Sequence, residues 1–170
     1  MVLVLSLTAV SGVAGASPRA DATQPDGRDV SPSVAWHYFK IPGYQYCIEG
    51  HHGSGNTGWV GWTRCRATYY QVWEWYGQFW DGDRIRGVGS NRCLDANEPR
   101  SNGIGDVYMH DCNGGAYQTW RVIPDSGYVR IAHPKTGGCL YRSSEGTLWT
   151  VPCSSGHWYQ LWRIVSHPDA

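Results

Sequence analysis

Apolar residues recur along the chain in short runs broken by turn residues, and no stretch shows the 3.6-residue spacing of a helix capped at both ends. Trp120-Arg121-Val122-Ile123 and Trp162-Arg163-Ile164-Val165 read as strands, and Trp73-Glu74-Trp75-Tyr76 is a more aromatic version of the same run. Turn clusters at Gly53-Ser54-Gly55-Asn56, Ser101-Asn102-Gly103 and Ser143-Ser144-Glu145-Gly146 punctuate them. The pattern predicts an all-β chain of short strands and tight turns. The 22 Gly, ten Trp and eleven Tyr agree with it.

The runs belong to an internal repeat. Gln-x-Trp occurs at Gln71-Val72-Trp73, Gln118-Thr119-Trp120 and Gln160-Leu161-Trp162, behind Tyr70, Tyr117 and Tyr159. Cysteines open the repeats at 47, 93 and 139, a spacing of 46 both times, and Ile48, Leu94 and Leu140 follow them. The units run from about 34 to 80, 81 to 124 and 125 to 166. A unit this short makes no core alone. Three units around a pseudo-threefold axis pool one apolar face each and remove exposed strand edges. The three Trp are expected in that shared core, and the three Gln are expected to satisfy buried backbone groups.

The cysteines fall as Cys47 and Cys65, Cys93 and Cys112, Cys139 and Cys153, separated by 18, 19 and 14 residues. Six cysteines admit many connectivities; the repeat favours the local one. None has the Cys-x-x-Cys spacing of a zinc or redox motif. Disulfides imply an oxidising compartment. Val2 to Val13 is mostly apolar and too short to span a bilayer, and Ala14-Gly15-Ala16 has the small-x-small form of a signal-peptidase site. Residues 1–16 are therefore expected to be a secretion signal, although no Lys or Arg precedes the apolar run. Residues 17–33 read as a disordered leader, ahead of one domain at 34–166.

The charge balance argues against nucleic acid as a partner and gives no support for attraction to an anionic membrane. Lys+Arg and Asp+Glu both number 14, so the chain lacks the basic excess that nucleic acid or an anionic membrane attracts.

Three Gln-x-Trp motifs, each behind a Cys-Leu-Asp-like start and a second Cys, resemble the ricin-type lectins over about 130 residues. The resemblance implies a β-trefoil, and a secreted carbohydrate-binding protein for galactose- or xylose-type sugars or polysaccharide. In that family an Asp of Cys-Leu-Asp accepts hydrogen bonds from two sugar hydroxyls, an aromatic ring stacks on the pyranose, and amides fix the remaining hydroxyls.

The second repeat matches best. Asp95 stands at the carboxylate position, Tyr108 and His110 share a strand face, and Asn97, Asn113 and Gln118 are the candidate amides. Either ring fits the stacking role; the reading favours Tyr108, with His110 as its hydrogen-bonding neighbour. Tyr117 replaces the Asn usual before the Gln. A weaker site in the first repeat would use Glu49, Trp59, Trp62 and Gln71, with the Gly-rich segment 51–58 giving the loop room to move. The third repeat has Tyr141 at the carboxylate position, so no site is expected there despite Trp149. Plainer roles compete throughout: Asp95 as a turn cap, Tyr108 as an ordinary strand residue.

No catalytic residue, cofactor or metal is assigned. Hydrolase, metalloprotease and phosphate-loop motifs are missing. His51-His52 lacks a third ligand at a sensible spacing, and the calcium-like start at Asp95 carries Arg100 where Gly is required. Glu49, Asp81, Asp83 and Asp106 leave a carboxylate pair open, but nothing selects one. The alternative to a lectin is a protein-binding trefoil, either a toxin-type binding subunit or an inhibitor, that has lost sugar binding.

Overall fold

The 46-residue spacing of the cysteines extends to the core. Phe39, Ile85 and Ile131 stand 46 residues apart and are all fully buried, as are Ile48, Leu94 and Leu140. The computed structural model describes residues 35–77 and 79–167. The expected signal and leader lie outside them.

Each repeat contributes four main strands. The first holds β1 (Ala35–Lys40), β2 (Tyr46–Gly50), the two-residue β3 (Thr57–Gly58), β4 (Val60–Arg64) and β5 (Trp73–Trp75). The second holds β6 (Asp83–Gly87), β7 (Arg92–Ala96), β8 (Gly105–His110) and β9 (Thr119–Asp125). The third holds β10 (Tyr128–His133), β11 (Gly138–Arg142), β12 (Leu148–Pro152) and β13 (Arg163–Ser166). No α-helix occurs among the described residues.

Six of these strands close on themselves. β1 pairs with β5, β5 with β6, β6 with β9, β9 with β10, and β13 returns to β1. A bridge between Val129 and Trp162, with backbone bonds of 3.0 and 2.8 Å, completes the ring. Closure satisfies the strand edges that an open sheet would expose. The hairpins β2–β4, β7–β8 and β11–β12 cap it. The chain is a β-trefoil, and the three disulfides are the local pairs Cys47–Cys65, Cys93–Cys112 and Cys139–Cys153.

The Gln-x-Trp motif performs the same two tasks in every repeat. Each Trp is fully buried, and its indole N–H donates to the carbonyl after the first cysteine: Trp73 to Ile48 at 3.1 Å, Trp120 to Leu94 at 2.9 Å, Trp162 to Leu140 at 3.1 Å. Each Gln ends a single 3-10 turn and brackets the second cysteine. Its oxygen accepts the N–H one residue after that cysteine (Arg66, Asn113, Ser154) at 2.6–2.9 Å. Its Nε2 donates to the carbonyl one residue before it (Arg64, Asp111, Pro152) at 2.8–2.9 Å. Burial of these amides is tolerated because both ends are paired.

Candidate functional site

Register places one residue of each cap hairpin directly across from the carboxylate position. The pairs are Glu49 with Gly61, Asp95 with Tyr108, and Tyr141 with Trp149. Directly opposed residues project on the same face of a hairpin, so each pair marks the equivalent surface of its repeat.

In the second repeat Asp95 is only 4% exposed. Gln118 Nε2 donates to its Oδ2 at 2.9 Å, and Oδ1 is buried without a hydrogen-bond partner among the described residues. Burial and then the Asp95 carboxylate push the Tyr108 phenol up to about 12. The phenol therefore lies within reach of the carboxylate, and contact between them contributes to the shift, although its geometry falls short of a full hydrogen bond. Around this pair stand Tyr117 and three residues that local sequence reading left out, Glu98, Lys135 and His133. The Tyr117 hydroxyl donates to Glu98 Oε1 at 2.7 Å, which raises its own phenol pKa. Lys135 lies 3.7 Å from the same Glu98 oxygen. His133, from the third repeat, stacks near Tyr117 with its ring centroid 6.3 Å away. Its Nε2 faces the Tyr117 carbonyl at 3.0 Å, so that nitrogen carries the proton, and burial lowers its pKa and keeps the ring neutral. The recurrence of Tyr before each Gln signalled Tyr117; no local motif signals Glu98 or His133.

The other expected contacts of this repeat are engaged elsewhere. Asn97 spends its amide on Asp106, accepting the backbone N–H at 2.7 Å and donating to Oδ2 at 3.1 Å. Asn113 caps the following turn through the Gly115 N–H at 2.7 Å. His110 stands across from Cys93, not Asp95, and both its ring nitrogens are used: Nδ1 toward the Asp111 carbonyl and Nε2 toward the Asn56 amide, each at 3.1 Å. It is a junction with the first repeat, 6.2 Å from the Tyr108 ring centroid in an edge-on contact. Tyr108 alone of the two rings lies across from Asp95.

The first repeat departs from expectation in two ways. Trp62 stands across from Ile48, on the opposite face from Glu49, and its indole donates to the Ser143 carbonyl at 3.0 Å. It is not part of the Glu49 surface, because strand alternation turns it away. Trp59 does reach that surface. Its ring lies over Gly61, where an added methyl would come within 2.3 Å of Trp59 Cζ2. The second departure is the 51–58 loop, which is held and not free. It pairs with β8 at Thr57 and Gly58, and the Arg92 guanidinium donates to the carbonyls of Gly55 and Thr57.

Glu49 is saturated. Thr63, Gln71, Arg66 and His51 all contact its carboxylate, at 2.6, 2.7, 2.9 and 2.6 Å. Burial opposes ionisation, but the hydrogen bonds from Thr63, His51, Arg66 and Gln71 overcome it and hold the carboxyl at about 2. No equivalent oxygen is left for a ligand. In the third repeat Tyr141 packs beside Tyr159, at 5.6 Å between centroids, with no carboxylate.

A family model described as the ricin-type beta-trefoil lectin domain matches residues 81–169, just over half of the chain. The chain belongs to the ricin-type β-trefoil lectin family. Membership of this lectin family supports a carbohydrate-binding role, and such domains are generally non-catalytic modules. Solved structures agree on the fold. A designed 3-fold symmetric protein, ThreeFoil, superposes with a TM-score of 0.65 at 17% identity, over 76% of this chain and 97% of that one. A mosquitocidal holotoxin matches at 0.66 and 14% identity, over 79% of this chain and 17% of the holotoxin. An exo-beta-1,3-galactanase from Clostridium thermocellum matches at 0.62 and 16% identity, over 80% of this chain and 31% of the enzyme. The lectin domain thus corresponds to a whole protein in the first case and to a fraction of a longer one in the others.

Proposed function

We propose that this lectin is a secreted protein that binds a galactose- or xylose-type sugar, free or within a polysaccharide, through its second repeat. The observation that carries the reading is the Oδ1 of Asp95, which has no hydrogen-bond partner among the described residues, whereas the oxygens of Glu49 in the first repeat are all engaged and Tyr141 in the third has no carboxylate. A sugar hydroxyl donating to that oxygen makes a charge-assisted bond, the strongest kind available to a neutral ligand. Gln118 keeps the carboxylate oriented, Tyr108 supplies the ring, and the Tyr117–Glu98 pair borders it. Because Oδ1 is out of contact with water, a ligand reaches it only when a neighbouring side chain shifts. Tyr108, half-buried and directly across, is placed to do so. One small site of this kind binds weakly, at about millimolar or about −4 kcal/mol, so a polymer with many contacts is the natural ligand. Three disulfides support secretion.

The test is a glycan and insoluble-polysaccharide binding screen of the oxidised protein beside Asp95→Ala. Binding that the variant loses while keeping its near-ultraviolet dichroism supports the reading. A folded wild type that binds no glycan overturns it and leaves a protein-binding trefoil.

A further inference from the structure

Five exposed or half-exposed aromatics gather where the first and third repeats meet, around a buried cation. Tyr44, Tyr46, Trp62, Arg142, Trp158 and Tyr159 line a surface cavity of about 210 Å³. Tyr44 is 56% exposed, Trp158 41% and Tyr159 44%, although large apolar rings ordinarily seek cover. None of these residues belongs to the Asp95 surface.

Arg142 is 3% exposed. Its Nη1 donates to the Leu161 carbonyl at 2.9 Å, but Nη2 is buried with no hydrogen-bond partner among the described residues. The rings of Trp158, Tyr159 and Trp162 lie 5.4–5.6 Å from its guanidinium carbon, and no carboxylate pairs with it among the described residues. Ring faces offset part of the cost of burying a cation, but they leave a donor unsatisfied.

The fold does not require an arginine here. The positions 46 and 92 residues earlier are Ala96 and Gly50, both buried within their own cap hairpins. At Gly50 even a methyl group would meet Trp73 at 2.6 Å. Trp158 likewise stands where the second repeat has Ala116. Tyr159 recurs as Tyr70 and Tyr117, and the first repeat has Tyr69 at the Trp158 position, but Tyr44 and Tyr46 stand where the second repeat has Ser90 and Arg92, so the cation and its Tyr44–Tyr46 wall are additions at one interface of a pseudo-symmetric scaffold.

We propose that this cavity is a second binding site, for a carboxylate-bearing sugar such as a uronate residue of an acidic polysaccharide. The unpartnered Nη2 would donate to a carboxylate, which matches it in charge, once a neighbouring ring shifts to uncover it. The flat rings of Tyr44, Tyr46 and Trp158 match the apolar face of a pyranose. The volume is below that of an ordinary drug-sized pocket and suits a single ring with its neighbours extending into solvent.

The test uses the oxidised full chain with polygalacturonate as probe and its methyl ester, the same backbone without charge, as control. Affinity electrophoresis and quenching of tryptophan fluorescence are the readouts. Polygalacturonate is expected to bind at least about tenfold more tightly than the ester, with an affinity that falls as salt rises. Arg142→Gln is expected to abolish that difference. Because Arg142 is buried, Tyr44→Ala serves as the variant that leaves the core intact, and it is expected to weaken binding about tenfold. Asp95→Ala is expected to leave the preference for the acid over the ester unchanged, which separates this site from the second-repeat reading. Equal binding of acid and ester, full binding by Tyr44→Ala, loss of the acid-over-ester preference in Asp95→Ala, or equally tight binding of a polyglutamate peptide would each overturn the proposal.

Discussion

Gln118 donates its amide to one oxygen of Asp95 at 2.9 Å, and the other oxygen has no hydrogen-bond partner among the described residues. Its counterpart Gln71 makes the same contact to Glu49 at 2.7 Å, but there Thr63, Arg66 and His51 occupy what remains. One conserved geometry within the molecule thus yields an available acceptor in one repeat and a closed ion cluster in another.

Removing the Gln118 side chain should damage the fold as well as the site. Gln118→Ala strips partners from the Asn113 N–H, the Asp111 carbonyl and Asp95 together. A loss of about 3 kcal/mol is expected in chemical denaturation, since each buried unpaired group costs about 1–3 kcal/mol. Asp95→Ala should cost less, because it removes a buried carboxylate that is already half-unsatisfied.

Glu49 predicts an acid limb. Its carboxyl is held at about 2 in the folded protein against 4.5 ordinarily, so its stabilising contribution is fully present above pH 4.5 and is lost as pH falls toward 2. The full shift corresponds to about 3 kcal/mol, and the exposure of Arg66 screens part of it. Denaturation midpoints measured between pH 6 and pH 2 should fall less steeply in Glu49→Gln than in wild type. The same substitution should leave sugar binding by the second repeat unchanged.

Gly50→Ala should destabilise by about 1–3 kcal/mol through overpacking, because the new methyl would sit 2.6 Å from Trp73 and 2.8 Å from the Met109 sulfur. Ala96→Gly, at the equivalent place in the second repeat, creates no clash and should cost about 1 kcal/mol or less. A pair of thermal melts distinguishes the two.

Arg92→Ala should release the 51–58 loop. The guanidinium holds the Gly55 and Thr57 carbonyls against the second repeat. Hydrogen exchange at Gly53, whose N–H bonds the Thr57 carbonyl at 3.0 Å, is expected to accelerate while exchange at the barrel strands stays slow.

The fold was legible because its determinants repeat locally. Gln71, Gln118 and Gln160 act on backbone groups within a few residues of the second cysteine, and each Trp acts on the residue after the first. The position of Asp95 follows from the same short motif. What was not legible depends on register or on contacts between repeats. Trp62 sits one residue out of phase with Glu49, so strand alternation sends it to the other face. Glu49 looks like a functional equivalent of Asp95 until Arg66 and His51 are seen closing over it. His133 reaches the Asp95 surface from the third repeat, and Arg142 meets Tyr44 from the first. No spacing within one repeat encodes those meetings.

The most direct measurement is titration of the oxidised protein with the best glycan from the screen, for wild type, Asp95→Ala and Glu49→Gln in parallel. The second-repeat assignment predicts that Asp95→Ala loses binding and Glu49→Gln retains it, with both variants folded. Retained binding in folded Asp95→Ala, or loss in Glu49→Gln alone, would contradict it.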